Sequence, residues 1–491
     1  MKFTDAIAMS HVPRPASNCM GRLWALVLVL WLAGLAGCAV GPDYKRPADP
    51  VLSPAGFRGE TSTTTNSLAD LPWWQVFHDE TLQNLIRIAL TNNYDVRIAV
   101  TRVEQARQVA AEARSQYYPQ LDYDVMAGGG RNTVNGTTPT LTGKTGQEMA
   151  AYGTASWEID LWGKLRRLNE SARAQYLASV EARRGVTISL VAQVAQSYLQ
   201  LLALDRELDI ARLSTNSYAE SLKIFNERLK GGVASKLDTA SAEALMAAAA
   251  ATIPDLERQV TLQENQLSVL LGQDPGGIVR DRTALDRQIP PEVPAGLPST
   301  LLERRPDIRE AEDQLQSANA QVGVAKANFL PQLDLTGLLG AVSPELNAFT
   351  SGSELAWGAA AGLTGPLFHA GQLRAQYAQA KAVRDQYALQ YQSTVLNAFM
   401  EVSDDLVSRQ QLARARIQEA RAVAAYQEAV KIAMERYRLG EADYYEVLQE
   451  QQLLFPAENT LLQFQLNQLL TVVQLYQALG GGWDASASDR H

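Results

Sequence analysis

The sequence predicts a mainly α protein with membrane β, in which tandem-duplicated long helical hairpins are joined to four β-strands per chain. Three observations predict this class. Residues 372–439 form a 68-residue run without Gly or Pro, rich in Ala, Gln, Glu, Arg and Leu, which are good helix formers. Four short stretches instead alternate apolar and polar residues, and period two marks a strand. The second half of the chain also repeats the first, as shown below.

The N-terminus reads as a targeting segment. Arg22 precedes an apolar run over 23–35 that ends in Leu35-Ala36-Gly37-Cys38. This run is too short for a stable span and fits a signal peptide over 1–37. A small-residue site followed by Cys resembles the lipobox of bacterial lipoproteins. That resemblance implies cleavage before Cys38, lipidation at Cys38 and export; Ala39, being other than Asp, implies sorting to the outer membrane. The alternative is an ordinary secretory signal with a chance Cys, and Met20 offers a second start. Removing the signal removes Cys19, so no intrachain disulfide is expected.

Residues 38–70, rich in Pro, Ser and Thr from Gly41 on, read as an extended linker. The first repeat is placed at 71–272. Trp73-Trp74 opens an amphipathic segment to Leu90, and a helical pattern covers 95–114 until Pro119 ends it. A β-hairpin follows over 120–161. Leu121, Tyr123 and Val125 alternate with Gln120, Asp122 and Asp124; a Gly/Thr/Asn-rich loop spans 128–146; alternation resumes with Ala151, Gly153, Ala155, Trp157, Ile159 and Leu161. Helical residues then run over 164–230, interrupted at Gly185. A tip at 228–238 leads to a helix over 237–271. Residues 273–299 are Pro-rich and irregular.

The second repeat, 300–480, copies this order. Asp95-Val96-Arg97 matches Asp307-Ile308-Arg309 and Tyr118-Pro119-Gln120-Leu121 matches Leu330-Pro331-Gln332-Leu333, at an offset of 212 (95 to 307, 118 to 330). Beyond the hairpins the offset becomes 208, pairing Arg228 with Arg436, Gly232 with Gly440 and Leu271-Gly272 with Leu479-Gly480. The second hairpin is placed at 332–367 and the second tip at 436–446. A helical run starts near Tyr444, and 481–491 reads as a flexible tail.

One apolar and one polar face per strand fits a membrane barrel, with Trp157 and Trp357 facing lipid. Four strands cannot stand open in a bilayer, because edge N–H and C=O groups would lack partners. Copies must therefore associate: two give eight strands, three give twelve and room for water. Small and polar Thr154, Ser156, Gly358 and Gly362 on the other face favour a wet lumen. A half-buried strand in a soluble sheet remains the alternative for any one stretch.

Composition narrows the function. A net charge of −9 gives no basic excess, so nucleic acid is not expected as a partner. The four histidines, at 11, 78, 369 and 491, have no ligand spacing, and no metal or cofactor is expected. Neither a nucleophile elbow nor a phosphate loop is present, so the protein is not read as an enzyme.

Several motifs carry a resemblance: Gly41-Pro42-Asp43-Tyr44-Lys45-Arg46-Pro47, Trp73-Trp74, Leu302-Glu303-Arg304-Arg305-Pro306-Asp307-Ile308-Arg309 and Phe329-Leu330-Pro331-Gln332-Leu333. They are similar to hallmarks of TolC-like outer-membrane factors, in the branch of NodT-type lipoprotein outlets of resistance–nodulation–division efflux pumps. The resemblance implies a homotrimer with a 12-stranded outer-membrane β-barrel and a periplasmic α-barrel. It implies a periplasmic adaptor (membrane-fusion) protein, an inner-membrane pump as energy source, and passive conduction through this chain. It places adaptor contacts at Gly232, Val233, Gly440 and Glu441, although the two glycines serve equally as turn residues. It places a periplasmic gate at Asp238, Tyr437 and Glu446, with Asp404 and Asp405 as further acidic positions; ordinary solvated charges are the alternative. A second gate carboxylate would fall on Gln449, a departure that argues against a doubled acidic ring. The outlet of a type I protein-secretion system, or a non-conducting structural envelope lipoprotein, are the competing functions.

Overall fold

A computed structural model of the chain describes residues 39–47, 57–58, 76, 79–131, 145–282, 285, 298–343 and 355–481. The expected signal peptide, Cys38, Trp73-Trp74, most of 48–78 and the tail beyond 481 lie outside the described residues. The elements are α1 (Glu80–Asn92), α2 (Tyr94–Ser115), β1 (Gln120–Arg131), β2 (Thr145–Ile159), α3 (Lys164–Lys230), α4 (Lys236–Leu270), α5 (Pro298–Arg304), α6 (Pro306–Ala327), β3 (Gln332–Ser343), β4 (Leu355–Thr364), α7 (Gln372–Leu439) and α8 (Tyr444–Ala478).

The chain divides into two compact units. One comprises Met1–Tyr44, Val109–Arg173 and Gln316–Arg384, and holds the strands. Its sheet is antiparallel in the order β1-β2-β3-β4, so the two hairpins of the duplication join through β2 and β3. Both hairpins run longer or shorter than their sequence pattern. β1 continues to Arg131 and β2 begins at Thr145, so 128–131 and 145–146, expected as loop, are paired backbone. Glycines at 128–130 blank out the alternation there, while the hydrogen-bond ladder carries on without side chains. β2 stops at Ile159, because Asp160 leaves the strand to accept from the N–H groups of Leu165 and Arg166 and so starts α3.

A strap formed by residues 39–44 lies on this unit, in place of the free linker expected from its composition. The Val40 N–H donates to the Trp162 carbonyl at 2.9 Å, Asn319 Nδ2 donates to the Pro42 carbonyl at 2.9 Å, and Asp43 pairs with the buried Arg167 at 2.6 Å. Gly41 crosses Gly323 so closely that a Cβ on Gly41 would sit 2.5 Å from the Gly323 Cα. Two hydrogen-only side chains are what permit that crossing.

The other unit comprises Lys45–Gln108, Ala174–Leu315 and Asp385–His491. Its core is filled by Tyr198, Leu201, Leu202, Leu267, Leu271, Ile308, Leu475 and Leu479. α3 has a stretch apolar enough to cross a membrane by composition, yet most of it is buried here within the protein. The helix also runs unbroken through Gly185, where an interruption was expected; a Cβ there would meet only Pro306, at an ordinary contact of 4.0 Å, so a single glycine is simply carried by the surrounding helix formers. Arg280 pins the irregular segment after α4: it binds the fully buried Asp205 with two nitrogens and Glu264 with a third. Gly481, placed in the tail by the sequence, donates to the Tyr476 carbonyl and is buried.

Candidate functional site

The strand register sorts the sheet into two faces. Residues paired across antiparallel strands share a face. Tyr123 pairs with Gly153, Trp157 with Leu335, Gly153 with Leu339, and Leu339 with Trp357. Following the register across all four strands collects Leu121, Tyr123, Val125, Trp157, Ile159, Leu333, Leu335, Leu339, Leu355, Trp357 and Leu363 on one face. No charged side chain interrupts it between Leu121 and Ala127 on β1 or along β4. The opposite face carries Asp122, Asp124, Thr154, Ser156, Glu158, Asp334, Thr336, Gly358, Gly362 and Thr364. The apolar face stands open to its surroundings, with Trp357 76% exposed and Tyr123 84% exposed. Such a face needs an apolar medium.

The two tips are the second region. α3 ends with Gly232 at φ +73°, and α7 with Gly440 at φ +77°. Each turn returns an N–H to the last helical carbonyls: Val233 to Arg228 at 3.0 Å and Glu441 to Arg436 at 2.9 Å. Gly at this left-handed position is the usual helix stop. Gly232, Val233, Gly440 and Glu441 are all exposed.

Behind the turns the tips differ. At the first, Ser235 Oγ accepts from the Asp238 N–H, and the Asp238 carboxylate accepts from the Ser235 N–H and hydroxyl, each at 2.8 Å. This capping box starts α4, and those bonds hold the Asp238 carboxyl below the usual range. At the second, Asp443 caps α8 without a side-chain bond. Glu446, the counterpart of Asp238, instead accepts from Arg436 Nη1 at 2.7 Å. Arg228, the counterpart of Arg436, lies 5.3 Å from the Tyr437 ring centroid and donates to the Tyr437 hydroxyl at 3.4 Å. Within one chain, then, Asp238 and Tyr437 bond to other partners and not to each other.

Tyr437 stacks edge-on against Tyr444 at 4.7 Å, and Tyr444 against Phe225 at 5.0 Å. Tyr444 is buried; its hydroxyl meets Ser221 Oγ at 2.6 Å, and Gln451 Nε2 donates to Ser217 Oγ at 2.9 Å. Tyr218, Ala242, Ala433, Val447 and Leu448 complete this cluster.

Asp404 and Asp405 sit within α7. Asp404 is exposed and Asp405 half-buried. Burial, with Glu401 and Asp404 nearby, pushes the Asp405 carboxyl up to about 7, against the pull of Arg305. Arg305 is a residue whose role the sequence did not disclose. Its Nη1 lies 2.8 Å from Glu401 and donates to the Ala478 carbonyl, while Nε and Nη2 clamp Asp307. It therefore caps the C-terminal end of α8 and ties it to α6 and α7. The partnership of Arg436 with Glu446 was likewise missed, although a basic residue ten positions before an acid, across a Gly turn, was a readable signal. Among the described residues, no group of His, Cys, Asp and Glu is arranged to hold a metal.

Comparisons agree with this geometry. The family model described as outer membrane efflux protein matches residues 85–273 and 297–481, the two repeats in turn. The chain is 35% identical over 452 residues to the probable efflux pump outer membrane protein TtgC of Pseudomonas putida, covering 91% of this chain and 93% of that protein. It is 32% identical over 455 residues to the cation efflux system protein CusC of Escherichia coli, covering 91% and 96%. Among solved structures it is similar to the open state of the Neisseria gonorrhoeae MtrE outer membrane channel, with a TM-score of 0.81, 31% identity, and 91% and 98% of the two chains covered. With its duplicated helical hairpins and two-faced sheet, the chain belongs to the outer membrane efflux protein family of outer-membrane channels.

Proposed function

We propose that the protein is the outer-membrane outlet of a tripartite efflux system, assembled as a homotrimer whose twelve strands close one barrel. It passes drugs or other small molecules delivered by an inner-membrane resistance–nodulation–division pump through a periplasmic adaptor, without itself supplying energy. The register carries this reading: it gives the sheet one lipid-type face, one polar face and two open edges. Only closure by further copies satisfies those edges within a bilayer. In this reading Trp157 and Trp357 face lipid, Cys38 carries acyl chains, and Gly232, Val233, Gly440 and Glu441 meet the adaptor. Asp238, Tyr437 and Glu446 belong to the periplasmic gate, with Asp404 and Asp405 as a further acidic constriction.

Planar-bilayer recording of the purified protein tests the channel. Ion conduction is expected, and its absence overturns the reading. Glu446→Ala or Asp404→Ala is expected to raise conductance, because each removes a carboxylate from a ring of like charges. Unchanged conductance in both and in the double variant removes the gate assignment while leaving the channel.

Asp405 adds a pH dependence. Its carboxyl is raised from the ordinary 3.8 to about 7, so the folded state holds a proton that the unfolded chain releases. Stability contributed by this group therefore falls as pH rises from about 4 through about 7. Asp313, raised to about 7 by burial and by Glu181 and Glu312 against Arg309, adds the same slope. Asp405→Asn is expected to raise the melting temperature in detergent by about 2–4 °C at pH 8 and by little at pH 5. Equal shifts at both pH values remove the assignment.

A further inference from the structure

Where α3 meets α6, one buried carboxylate is only half satisfied. Glu181 of α3 is 3% exposed. Arg184 Nη1 reaches its Oε1 at 2.5 Å, and Arg309 Nη2 of α6 reaches the same oxygen at 3.0 Å. Its Oε2 is buried and meets no donor. A buried acceptor without a donor is costly, more so when charged.

The groups around it supply an acid where a donor is wanted. Residues 309, 310 and 313 share one face of α6, and Glu181 acts on the charge of both Glu310 and Asp313. Glu310 accepts from Gln314 Nε2 at 3.0 Å, and Glu312 is bound by Arg46 at 2.8 and 2.5 Å. Arg305, next along α6, is taken by Asp307 and by Glu401 of α7. Asp313 alone of these acids has no hydrogen bond or ion pair among the described residues, and it is half-buried. Four carboxyl groups (Glu181, Glu310, Glu312, Asp313) therefore stand against three arginines (Arg46, Arg184, Arg309). One proton makes the balance even. All seven residues lie in the same compact unit.

The duplication shows that the architecture does not require these acids. By the offsets of 208 and 212, Glu181 and Arg184 correspond to Leu389 and Gln392 of α7, and Glu310, Glu312 and Asp313 to Ile98, Val100 and Thr101 of α2. No acid stands at any of those positions. Replacing a buried ionic cluster by apolar residues is often neutral or stabilising, so stability alone does not account for the acids of α3 and α6.

We propose that Glu181 and Asp313 bind one proton between them: Asp313 takes it from solvent and donates its O–H to Glu181 Oε2, fastening α6 to α3. Two carboxylates brought together in a buried place cannot both stay ionised, and the pair takes up a proton as a unit. Burial and Glu181 push the Asp313 carboxyl up to about 7, with Glu312 adding to the rise and Arg309 opposing it. Among the described residues no group of acids is arranged to hold a metal, so a proton is the ligand that fits the surplus carboxylate. The folded chain keeps this proton where the unfolded chain releases it above the ordinary 3.8. The fastening is therefore complete at about pH 4 and is lost as pH rises through about 7. The inference stands apart from the conduction reading, since it concerns one contact inside a single chain.

Hydrogen exchange of the full-length protein in detergent tests it, corrected for the intrinsic pH dependence of exchange and read on peptides covering 174–190 and 306–315. Opening of these peptides is expected to rise about tenfold between pH 5 and pH 7; the full linkage limit is about tenfold per pH unit, and solvent screening of the half-exposed Asp313 reduces it. Asp313→Asn, whose amide N–H reaches Oε2 at every pH, should flatten that rise. Asp313→Thr, which installs the residue of the duplicate, should flatten it too and serves if the Asn variant does not fold. Glu181→Gln removes the neighbouring charge and should move the rise to lower pH. The infrared difference between pH 5 and pH 8 should contain a neutral carboxylic-acid C=O band that Asp313→Asn deletes. A rise or a band that survives Asp313→Asn overturns the proposal. So does an equal opening of Asp313→Asn and Glu181→Gln at every pH, which would make the pair simple packing. At fixed pH and ionic strength, closing of α6 by sodium or magnesium chloride but not by choline chloride, lost in Asp313→Asn, would put a metal cation in place of the proton and overturn it as well.

Discussion

The two helical tips descend from one ancestral turn, yet they hold their acids differently. At the first, Asp238 is committed to its own helix: it completes a capping box with Ser235. At the second, position 443 offers no side-chain cap, and Glu446 reaches across the turn to Arg436. The basic residue of the first tip, Arg228, has moved in turn to the Tyr437 ring of the other hairpin. The same fold position therefore serves helix initiation in one copy and a surface ion pair in the other. An exposed pair is worth little to stability, so Glu446 can leave Arg436 at little cost, whereas Asp238 holds the bonds that start α4.

The comparison can be broken most severely at what the tips share. Tyr444→Ala removes a buried ring packed on Phe225 and Tyr437 and leaves Ser221 without its hydroxyl partner. A local loss of about 3–5 kcal/mol is expected, read as early hydrogen exchange and proteolytic nicking at both tips together. Nicking at one tip only would mean that the cluster does not couple them. A smaller, one-sided effect is expected from Ser235→Ala. Loss of the cap costs about 1 kcal/mol, and exchange should speed up in the first turn of α4 and not in α8. Asp443→Ser sharpens the contrast further. Ser three residues before Glu446 recreates the capping-box spacing and draws the carboxylate away from Arg436. A stability gain of a few tenths of a kcal/mol is expected, with conductance moving toward that of Glu446→Ala. The smallest stability change belongs to Arg436→Ala, under about 0.5 kcal/mol; a melting shift of many degrees would show the pair to be structural.

Much of this arrangement is legible in the chain itself. The ends of α7 at Leu439 and of α3 at Lys230 follow from Gly440 and the Gly231-Gly232 pair, because a glycine free to turn left-handed is a common stop for a run of strong helix formers. The alternation of Leu121, Tyr123 and Val125 likewise gave the correct face for every strand. Where Gly replaces that alternation, at 128–130, the ladder itself decides the extent, and pattern reading stops early. Tertiary pairing was less visible. Arg305 stands in a recognisable motif, but its contacts with Glu401 and the Ala478 carbonyl join residues far apart in sequence. The strap escaped for the same reason: Gly41 and Asp43 look like linker residues until Gly323 and Arg167 are placed beside them.

That strap sets a leash. Val40 is already fastened to Trp162, so only Ala39 separates the bound backbone from position 38. Two residues span at most about 7 Å. Acyl chains attached at Cys38 would be moored within that radius of Trp162, and the greasy anchor would act as a fixed depth gauge for the neighbouring strands, with no slack to roam the leaflet.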